Sequence, residues 1–291
     1  MKLYIIGNGF DLYHNLKTSY GDFHDYMKIK DHDVYRFIND YAPAGDEWNE
    51  LESSLGSIDF YNIIYDCENF LVPYSDENFR SHDHHSFQYE VGNIAENLSS
   101  KLLQHFSSWI KSIKVPVDPV FRKFKFFELD SIFLTFNYTN TLEYLYLIEK
   151  EKIKHIHGSI SDGSKITLGH SWERSVTINP SPGAEQDIRI CDAYDSLDDM
   201  FDINFKNCKK IIKEEMEYFE SLSSVSEVII IGHSLSDVDA EYFKEILKFA
   251  PKNTIWRYAL RDPQNDHEKT QMLIHLGINE KFIRNIPMHS L

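Results

Sequence analysis

The side chains of this chain that are suited to chemistry follow short apolar runs, at the points where those runs end. An imidazole can act as a general base near neutral pH, and a carboxamide both donates and accepts hydrogen bonds. A carboxylate or a hydroxyl beside them can orient a polar ligand. Together such groups can hold a ligand and activate a water molecule. The residues in question are Asn8, Asp11, Asn137, His157 and Ser234.

The apolar runs before these residues are typical of buried strands. They contain few polar residues, which is the pattern of a parallel sheet covered on both faces, and stretches with helical spacing separate them. We therefore predict an α/β fold, a Rossmann-like parallel sheet with helices on both faces. Because the carboxyl ends of parallel strands meet at one edge of a sheet, the five side chains should converge on one crevice. The predicted strands are 2–6, 132–136, 153–156, 165–168, 228–231 and 254–260.

Gly7 and Gly9 form a Gly-x-Gly turn directly after the first predicted strand. Such a turn lets a ligand approach the backbone and directs a helix N-terminus at it, the arrangement with which α/β proteins hold nucleotide pyrophosphates. The alternative is that the glycines serve only the turn. In that case the Asn and Ser residues cap the following helices, and the histidines bond to backbone groups.

The spacing of apolar residues predicts one domain with an insertion. We expect a single α/β domain over residues 1–291, with a predominantly helical insertion over 20–121 after the first strand. Apolar residues at helical intervals over 91–113 predict a long amphipathic helix, which two prolines follow. Residues 171–204 contain prolines and many acids, and are predicted to be irregular.

The composition disfavours several classes of protein. The 291 residues, 42% of them hydrophobic, can bury a sizeable core. A net charge of −16 argues against a nucleic-acid partner, because nucleic-acid affinity rests on cationic contacts. Three cysteines without paired spacing give neither a disulfide framework nor a four-thiolate zinc site, and the run 82–85 (HDHH) has no matching distant ligand, so we predict no metal site. With no secretory leader and no apolar run long enough to span a bilayer, we expect a cytoplasmic protein without a membrane partner.

Six motifs together resemble the bacteriophage abortive-infection AbiH family, nearly from end to end of the chain. That family in turn resembles the sirtuin-like NAD-binding fold, in which a Gly-rich loop, an Asn at a strand end, a His-Gly pair and a Gly-x-Ser turn surround NAD. The motifs are 7–11 (GNGFD), 18–23 (TSYGDF), Trp48 with Glu52, 136–143 (FNYTNTLE), 156–158 (IHG) and 232–239 (GHSLSDVD).

The resemblance implies a set of residues around NAD. Asn137 with residues 141–143 is similar to the sirtuin Asn-Ile-Asp-Thr-Leu segment, and residues 157–158 resemble the catalytic His-Gly pair. Residues 232–235 resemble the sirtuin Gly-Thr-Ser-Leu turn. The contacts to NAD that follow from this are those of Gly7, Asn8, Gly9, Phe10, Thr18, Gly158, Gly232, His233, Ser234 and Asp237.

This chain departs from the sirtuins in two places. The four-cysteine zinc module that follows their His-Gly pair is missing, which argues against deacylation of proteins. Asn8 stands where sirtuins have Ala, and Phe10 and Asp11 stand where they have a small residue followed by Ser. The exact contacts to the phosphates and the nicotinamide ribose therefore cannot be carried over from the sirtuins.

The function that the resemblance implies is antiphage defence by hydrolysis of NAD to nicotinamide and ADP-ribose, with NAD as substrate or ligand and no cofactor required. We predict His157 as the general base, Asn137 as the group that holds a ribose hydroxyl or the water, and Asp11 as the group that orients a ribose hydroxyl or offsets charge at C1′. One alternative is a sensor that binds NAD or ADP-ribose without turnover and controls a partner protein. Another alternative is a toxin-like protein whose helical segment is the effector. Cyclisation of NAD or transfer of its ADP-ribosyl group could replace hydrolysis. A phage-derived trigger and a second copy of the chain also stay open as partners.

Overall fold

The chain divides into two compact units. The structure, a computed structural model, describes residues 1–125, 127–128, 130–160, 163, 165–179, 187–260 and 266–290, without the side chain of residue 289. One unit, here called the sheet unit, comprises Met1–Ser19, Ile110–Thr167 and Asn207–Leu291. The other, the helical unit, comprises Tyr20–Trp109 and Leu168–Lys206. The predicted insertion at 20–121 thus overlaps the first segment of the helical unit, which also takes residues from the second half of the chain.

The sheet unit is built on six parallel strands in the order β3-β2-β1-β4-β5-β6. The predicted parallel α/β sheet is confirmed. Ile6, at the end of β1, lies opposite Thr135 of β2 on one side and Ile231 of β4 on the other. Since β1 and β4 are neighbours, the strand order reverses between them, and the loops that follow these two strands flank the reversal point. The strands are β1 (Lys2–Ile6), β2 (Ser131–Thr135), β3 (Ile153–His155), β4 (Glu227–Ile231), β5 (Ile255–Leu260) and β6 (Ile283–Pro287).

The helices are numbered here along the whole chain. None in the described part combines the length and apolar character needed to cross a membrane. They are α1 (Asn8–Tyr13), α2 (Tyr20–Lys30), α3 (His32–Tyr41), α4 (Leu51–Ser54), α5 (Phe60–Cys67), α6 (Ser86–Glu96), α7 (Leu102–Ser112), α8 (Thr141–Tyr146), α9 (Ile188–Ile203), α10 (Cys208–Glu214), α11 (Met216–Ser221), α12 (Ala240–Phe249) and α13 (Asp266–His275).

Both faces of the sheet are buried, which explains why its central strands are apolar throughout. On the first face, alternate residues such as Leu3 and Val228 pack against side chains of α10–α13. On the second face, Tyr4 and Ile229 pack in a smaller cluster with Phe10 of α1 and side chains of α8. Successive residues of each strand therefore point alternately into two apolar cores, one on each face of the sheet.

The helical unit has its own aromatic core. Phe23 lies in ring contact with Trp48, Phe106 and Trp109, at centroid distances of 5.0–5.8 Å. Trp48 is buried and donates from Nε1 to the amide oxygen of Asn39 at 3.0 Å, so it is a core residue here.

Among the described residues of the helical unit, Arg189 and Lys206 are buried cations, and each has an acidic partner. Arg189 binds Asp187 through two nitrogens and donates to the carbonyls of Val72 and Asp83. The ammonium group of Lys206 lies 2.9 Å from Glu52. Buried charges of this kind persist only when they are paired.

Three predicted elements differ from the structure. Residues 165–168 form no strand, so that prediction is wrong. Residues 171–204 were predicted to be irregular, but α9 occupies Ile188–Ile203. The long helix predicted over 91–113 is present and begins earlier, since α6 continues through a π turn at Asn97–Lys101 into α7.

Candidate functional site

The loops after β1 and β4 lie directly against each other at the reversal point of the sheet. The N–H of Gly7 donates to the carbonyl of Ile231 at 3.0 Å, and the N–H of Gly9 donates to the carbonyl of Gly232 at 2.8 Å. These two N–H groups were predicted to bind pyrophosphate, and in this conformation they bind the β4 loop. To bind a pyrophosphate, they would have to exchange these hydrogen bonds for bonds to the phosphate oxygens.

The glycines are required by this loop contact. Gly232 has a φ of +70°, and a Cβ there would lie 2.2 Å from the backbone nitrogen of Phe10. A Cβ on Gly7 would lie 2.5 Å from the Cα of His233. Such distances are far inside van der Waals contact, so the two backbones can approach only where side chains are missing.

An imidazole cluster lies beside the β4 loop and consists of His157, Asp239 and His233. Nε2 of His157 is 3.6 Å from Oδ1 of Asp239, and Nε2 of His233 is 3.5 Å from Oδ2 of the same carboxylate. All three residues are buried, with His157 only 3% exposed. One carboxylate thus faces two imidazoles at ion-pair distance.

The hydrogen bonds of His233 define its tautomer. Its Nδ1 accepts from the N–H of Leu235 at 2.9 Å, so in the neutral ring the proton is on Nε2, which faces Asp239. Leu235 has a φ of +65°, a left-handed conformation that is unfavourable for a residue with a Cβ. Strain of this kind is concentrated at functional turns, where the surrounding structure holds it in place.

Aromatic side chains enclose the imidazole cluster. The ring of Phe136 lies 5.3 Å from that of His157 and 4.3 Å from that of His233, edge-on to both. Tyr242 of α12 lies 5.5 Å from His157, and burial raises the pKa of its phenol far above the ordinary value. The cluster is therefore held in an apolar shell, where charge interactions are stronger than in water.

A second group of polar residues, the Asp11 cluster, lies where α1 and the loop after β2 meet. The hydroxyls of Thr139 and Thr141 donate to the two carboxylate oxygens of Asp11, at 2.5 and 2.7 Å. Burial raises the pKa of Asp11 to about 6, although the two threonines and Asn137 act to lower it. The carboxylate thus ties the first loop to the second.

Asn137 belongs to the Asp11 cluster and is 6% exposed. Neither of its amide atoms has a hydrogen-bond partner of ordinary geometry among the described residues, although the amide is close enough to Asp11 to help lower its pKa. Burying an amide without partners costs free energy, so such a group calls for a bound water or ligand.

His155 anchors the backbone at Asn137. Its Nδ1 lies 3.0 Å from the carbonyl oxygen of Asn137, and its Nε2 lies 2.9 Å from Oε1 of Glu143. Burial acts to raise the pKa of Glu143, but the hydrogen bonds from His155 and Asn140 hold it below the ordinary value. β3 ends at His155, and the rings of His155 and His157 have different partners.

The other predicted contact residues have varied surroundings. The ring of Phe10 is fully buried in the second core, and Thr18 is buried while its carbonyl accepts from the exposed Asn8 at 2.7 Å. Gly158 has a φ of +86°. Ser234 and Asp237 are exposed.

Two residues of the site were not predicted. Asp239, rather than Asp237, carries the carboxylate that faces the histidines. Lys269 of α13 donates to the carbonyls of His233 and Ser234 at 3.2 and 2.6 Å, and burial lowers its pKa. Asp239 could have been found because it belongs to the motif 232–239. Nothing in the sequence singles out Lys269.

No group of three or more His, Cys, Asp or Glu side chains within the described residues could hold a metal ion. In the run 82–85, the ring of His84 packs against Tyr74 and Phe79, with centroids 5.7 and 4.8 Å away.

The fold and the site define a class: a parallel α/β protein with clustered polar side chains at the edge of the sheet where its strand order reverses. The chain belongs to the family described as bacteriophage abortive infection AbiH, whose model matches residues 3–259. This places it among the abortive-infection proteins that act against bacteriophages. A search of curated proteins and a search of solved structures each returned no match.

Proposed function

We propose that this protein acts in antiphage defence by binding NAD at the carboxyl ends of β1 and β4 and hydrolysing its N-glycosidic bond. The proposal includes the sirtuin-like interpretation of the fold. The observation that carries it is the imidazole cluster beside the β4 loop, because a histidine oriented by a carboxylate is a standard general base. The strand order supports the location, since open parallel sheets bind nucleotides at this point.

The electrostatics of the sheet unit are compatible with an anionic ligand. Acidic side chains far outnumber basic ones in the sequence of the helical unit, whereas the two types are nearly balanced in that of the sheet unit. The net charge of −16 therefore belongs to the helical unit. A dinucleotide bound to the sheet unit meets no general excess of negative charge there.

In the proposed reaction the bond between C1′ of the ribose and the nicotinamide nitrogen breaks, and the electron pair leaves with nicotinamide, which becomes neutral. The oxygen of a water molecule then bonds to the cationic C1′, and His157 takes the proton of that water. Asp239 stabilises the imidazolium that forms. ADP-ribose and nicotinamide are the products.

Asn137 is proposed to hold a ribose hydroxyl or the attacking water. Its buried amide offers both a donor and an acceptor, and the described residues supply it with no ordinary hydrogen bond. Asp11 is proposed to position this amide, because both of its oxygens already accept hydrogen bonds from threonines. His155 fixes the backbone of the same residue.

A nucleotide sensor is the second candidate, and the burial of the site favours it. His157 and Asn137 are 3% and 6% exposed, so substrate reaches them only after a conformational change. A sensor would use the same crevice and bind NAD or ADP-ribose without breaking the bond. A latent enzyme that a phage component opens has the same closed resting structure.

Release of nicotinamide from NAD tests the proposal and separates the two candidates. The purified protein is incubated with NAD, with and without phage lysate, and the products are resolved by liquid chromatography. We expect nicotinamide and ADP-ribose from the unmodified protein, and a loss of at least 100-fold in His157→Ala and in Asn137→Ala. Two exposed residues of the sheet unit supply matched controls, His275→Ala and Asn253→Ala, which should keep full activity.

Each outcome of this assay has a defined meaning. Binding of NAD without nicotinamide release under either condition would establish the sensor. Release that is equal in His157→Ala and the unmodified protein would remove His157 from the reaction. If the protein neither binds NAD nor releases nicotinamide, the proposed function is refuted.

A further inference from the structure

The second face of the sheet is covered unevenly, and the topology explains why. Right-handed crossovers from β4 to β5 and from β5 to β6 place α12 and α13 together on the first face. Both helices pack there against the larger core. On the second face, the described side chains packed with Ile229 and Ile231 of β4 come from α1, α8, Phe124, Phe127 and Met288, and none comes from α12 or α13.

A cavity of about 300 Å³ remains on this second face, and we call it the face cavity. Its size is at the lower end of the range for small-molecule sites in proteins. Half of the described residues that line it are aromatic or branched apolar, and four charged side chains linked by ion pairs lie at the end where β1 and β4 begin. The residues that matter for the argument are Tyr4, Phe127, Ile229, Ile231, Arg257 and Ile286.

The charged end of the face cavity is built around Glu227. Lys2 donates to Glu227 and to Glu128, at 2.7 Å each, and Arg257 donates from Nε to Glu227. Burial acts to raise the pKa of Glu227, but these hydrogen bonds hold it below the ordinary value, so the carboxylate stays charged. Among the described residues Glu227 is the only hydrogen-bond partner found for the Arg257 side chain, and it engages Nε alone.

Arg257 lines the face cavity, and its terminal nitrogens have no hydrogen-bond partner among the described residues, so they are available as a planar donor pair. Such a pair matches the two oxygens of a carboxylate. Lys125 adds a third cation to the cavity wall against two carboxylates, which gives a local positive excess in an acidic protein. This balance favours an anion, and the aromatic side chains of the wall favour a ring.

We propose that the face cavity binds an aromatic carboxylate, with the ring against Tyr4 and Ile229 and the carboxylate on the terminal nitrogens of Arg257. The charged end of this cavity is separate from the site of the proposed function, whereas its other end reaches Ile231, the last residue of β4. Lys2 and Glu227 begin β1 and β4, whereas the glycine turns follow the ends of these strands, about 16 Å away for five residues.

Isothermal titration calorimetry with 2-naphthoate and its neutral analogue 2-naphthamide tests the site on the full chain. We expect naphthoate to bind at one site per chain, and naphthamide to bind at least tenfold more weakly because it lacks the charge that Arg257 recognises. Arg257→Gln should reduce naphthoate affinity at least tenfold. Ile286→Trp keeps every charge but fills the cavity from the partly buried edge strand, and should abolish binding.

A matched control and a folding check accompany these variants. Arg36→Gln changes an exposed arginine of the helical unit and should bind naphthoate like the unmodified protein. Circular dichroism melts establish which variants are folded, and if Arg257→Gln is not, Ile286→Trp decides the result. The proposal is overturned if the unmodified chain binds no naphthoate at millimolar concentration, or if a folded cavity variant binds it with unchanged affinity.

Discussion

The pH dependence of stability should change when Asp11 is replaced by asparagine. Burial raises the pKa of Asp11 to about 6, so the folded protein binds this proton more tightly than the unfolded chain does. The stabilisation is complete below pH 4 and is lost as the pH rises past 6. The difference from an ordinary value of about 4 corresponds to about 3 kcal/mol, of which about 2 kcal/mol is lost between pH 4.5 and 7.5.

Asp11→Asn removes this titration while keeping the contacts with the threonines. The amide oxygen still accepts from one hydroxyl, and the amide nitrogen can donate to the other. Urea denaturation at pH 4.5, 5.5, 6.5 and 7.5 gives the free energy of unfolding of both proteins. We expect the stability of the unmodified protein, relative to the variant, to fall by about 2 kcal/mol across this range.

Asp46→Asn, at an exposed position of the helical unit, is the matched control and should run parallel to the unmodified protein. A difference between the unmodified protein and Asp11→Asn that stays constant within about 0.5 kcal/mol from pH 4.5 to 7.5 would refute the reasoning. It would mean that Asp11 is ionised in the folded state as easily as in the unfolded chain.

Three further changes test other parts of the structure. Gly232→Ala should lower the free energy of unfolding in guanidinium by at least about 2 kcal/mol more than Gly163→Ala does. Both glycines have φ near +70°, but only at Gly232 would the added Cβ meet backbone atoms. Equal losses of stability would contradict the loop contact. Lys269→Met should cost about 1–2 kcal/mol and speed amide exchange in the turn after β4, and unchanged exchange would show that the ammonium does not hold that turn. Arg189→Met should destabilise the protein by about 3 kcal/mol in thermal unfolding, because it leaves the buried partners of Arg189 unpaired. Arg36→Met, which removes an exposed ion pair, should change the stability little. A small effect of both substitutions would contradict the buried pairing.

The central strands of the sheet could be predicted because they are apolar on both sides. β1 and β4 have four buried residues each in succession, and such runs have few alternatives to a buried strand. β6 was not predicted, because it is an edge strand in which only Ile283 is buried. An edge strand such as β6 lacks the run of successive apolar residues from which β1 and β4 were predicted.

Helix α9 was missed although its spacing contained the information. Its buried residues Ala193, Leu197, Met200 and Phe201 recur at helical intervals, while the many acids between them lie on the other side. The prolines at the start of the segment and its high charge suggested an irregular stretch. Periodicity was the better guide here than composition.

The sequence allowed us to predict which strand ends carry the residues of the candidate site, but not which side chains face each other there. The residues that follow β1–β4 do lie at one edge of the sheet. Which aspartate of the last motif faces the histidines depends on the left-handed turn at Leu235 and the short helical turn Asp237–Asp239. Those dihedral angles select Asp239, and no pattern of residue types determines them.

The position of a bound dinucleotide tests the central claim most directly. Crystals of His157→Ala, which should bind NAD without consuming it, are soaked with NAD and the electron density is examined. The account predicts a dinucleotide at the turns after β1 and β4, with a ribose against Asn137. Density for NAD elsewhere on the chain, or none at concentrations of several millimolar, would contradict it.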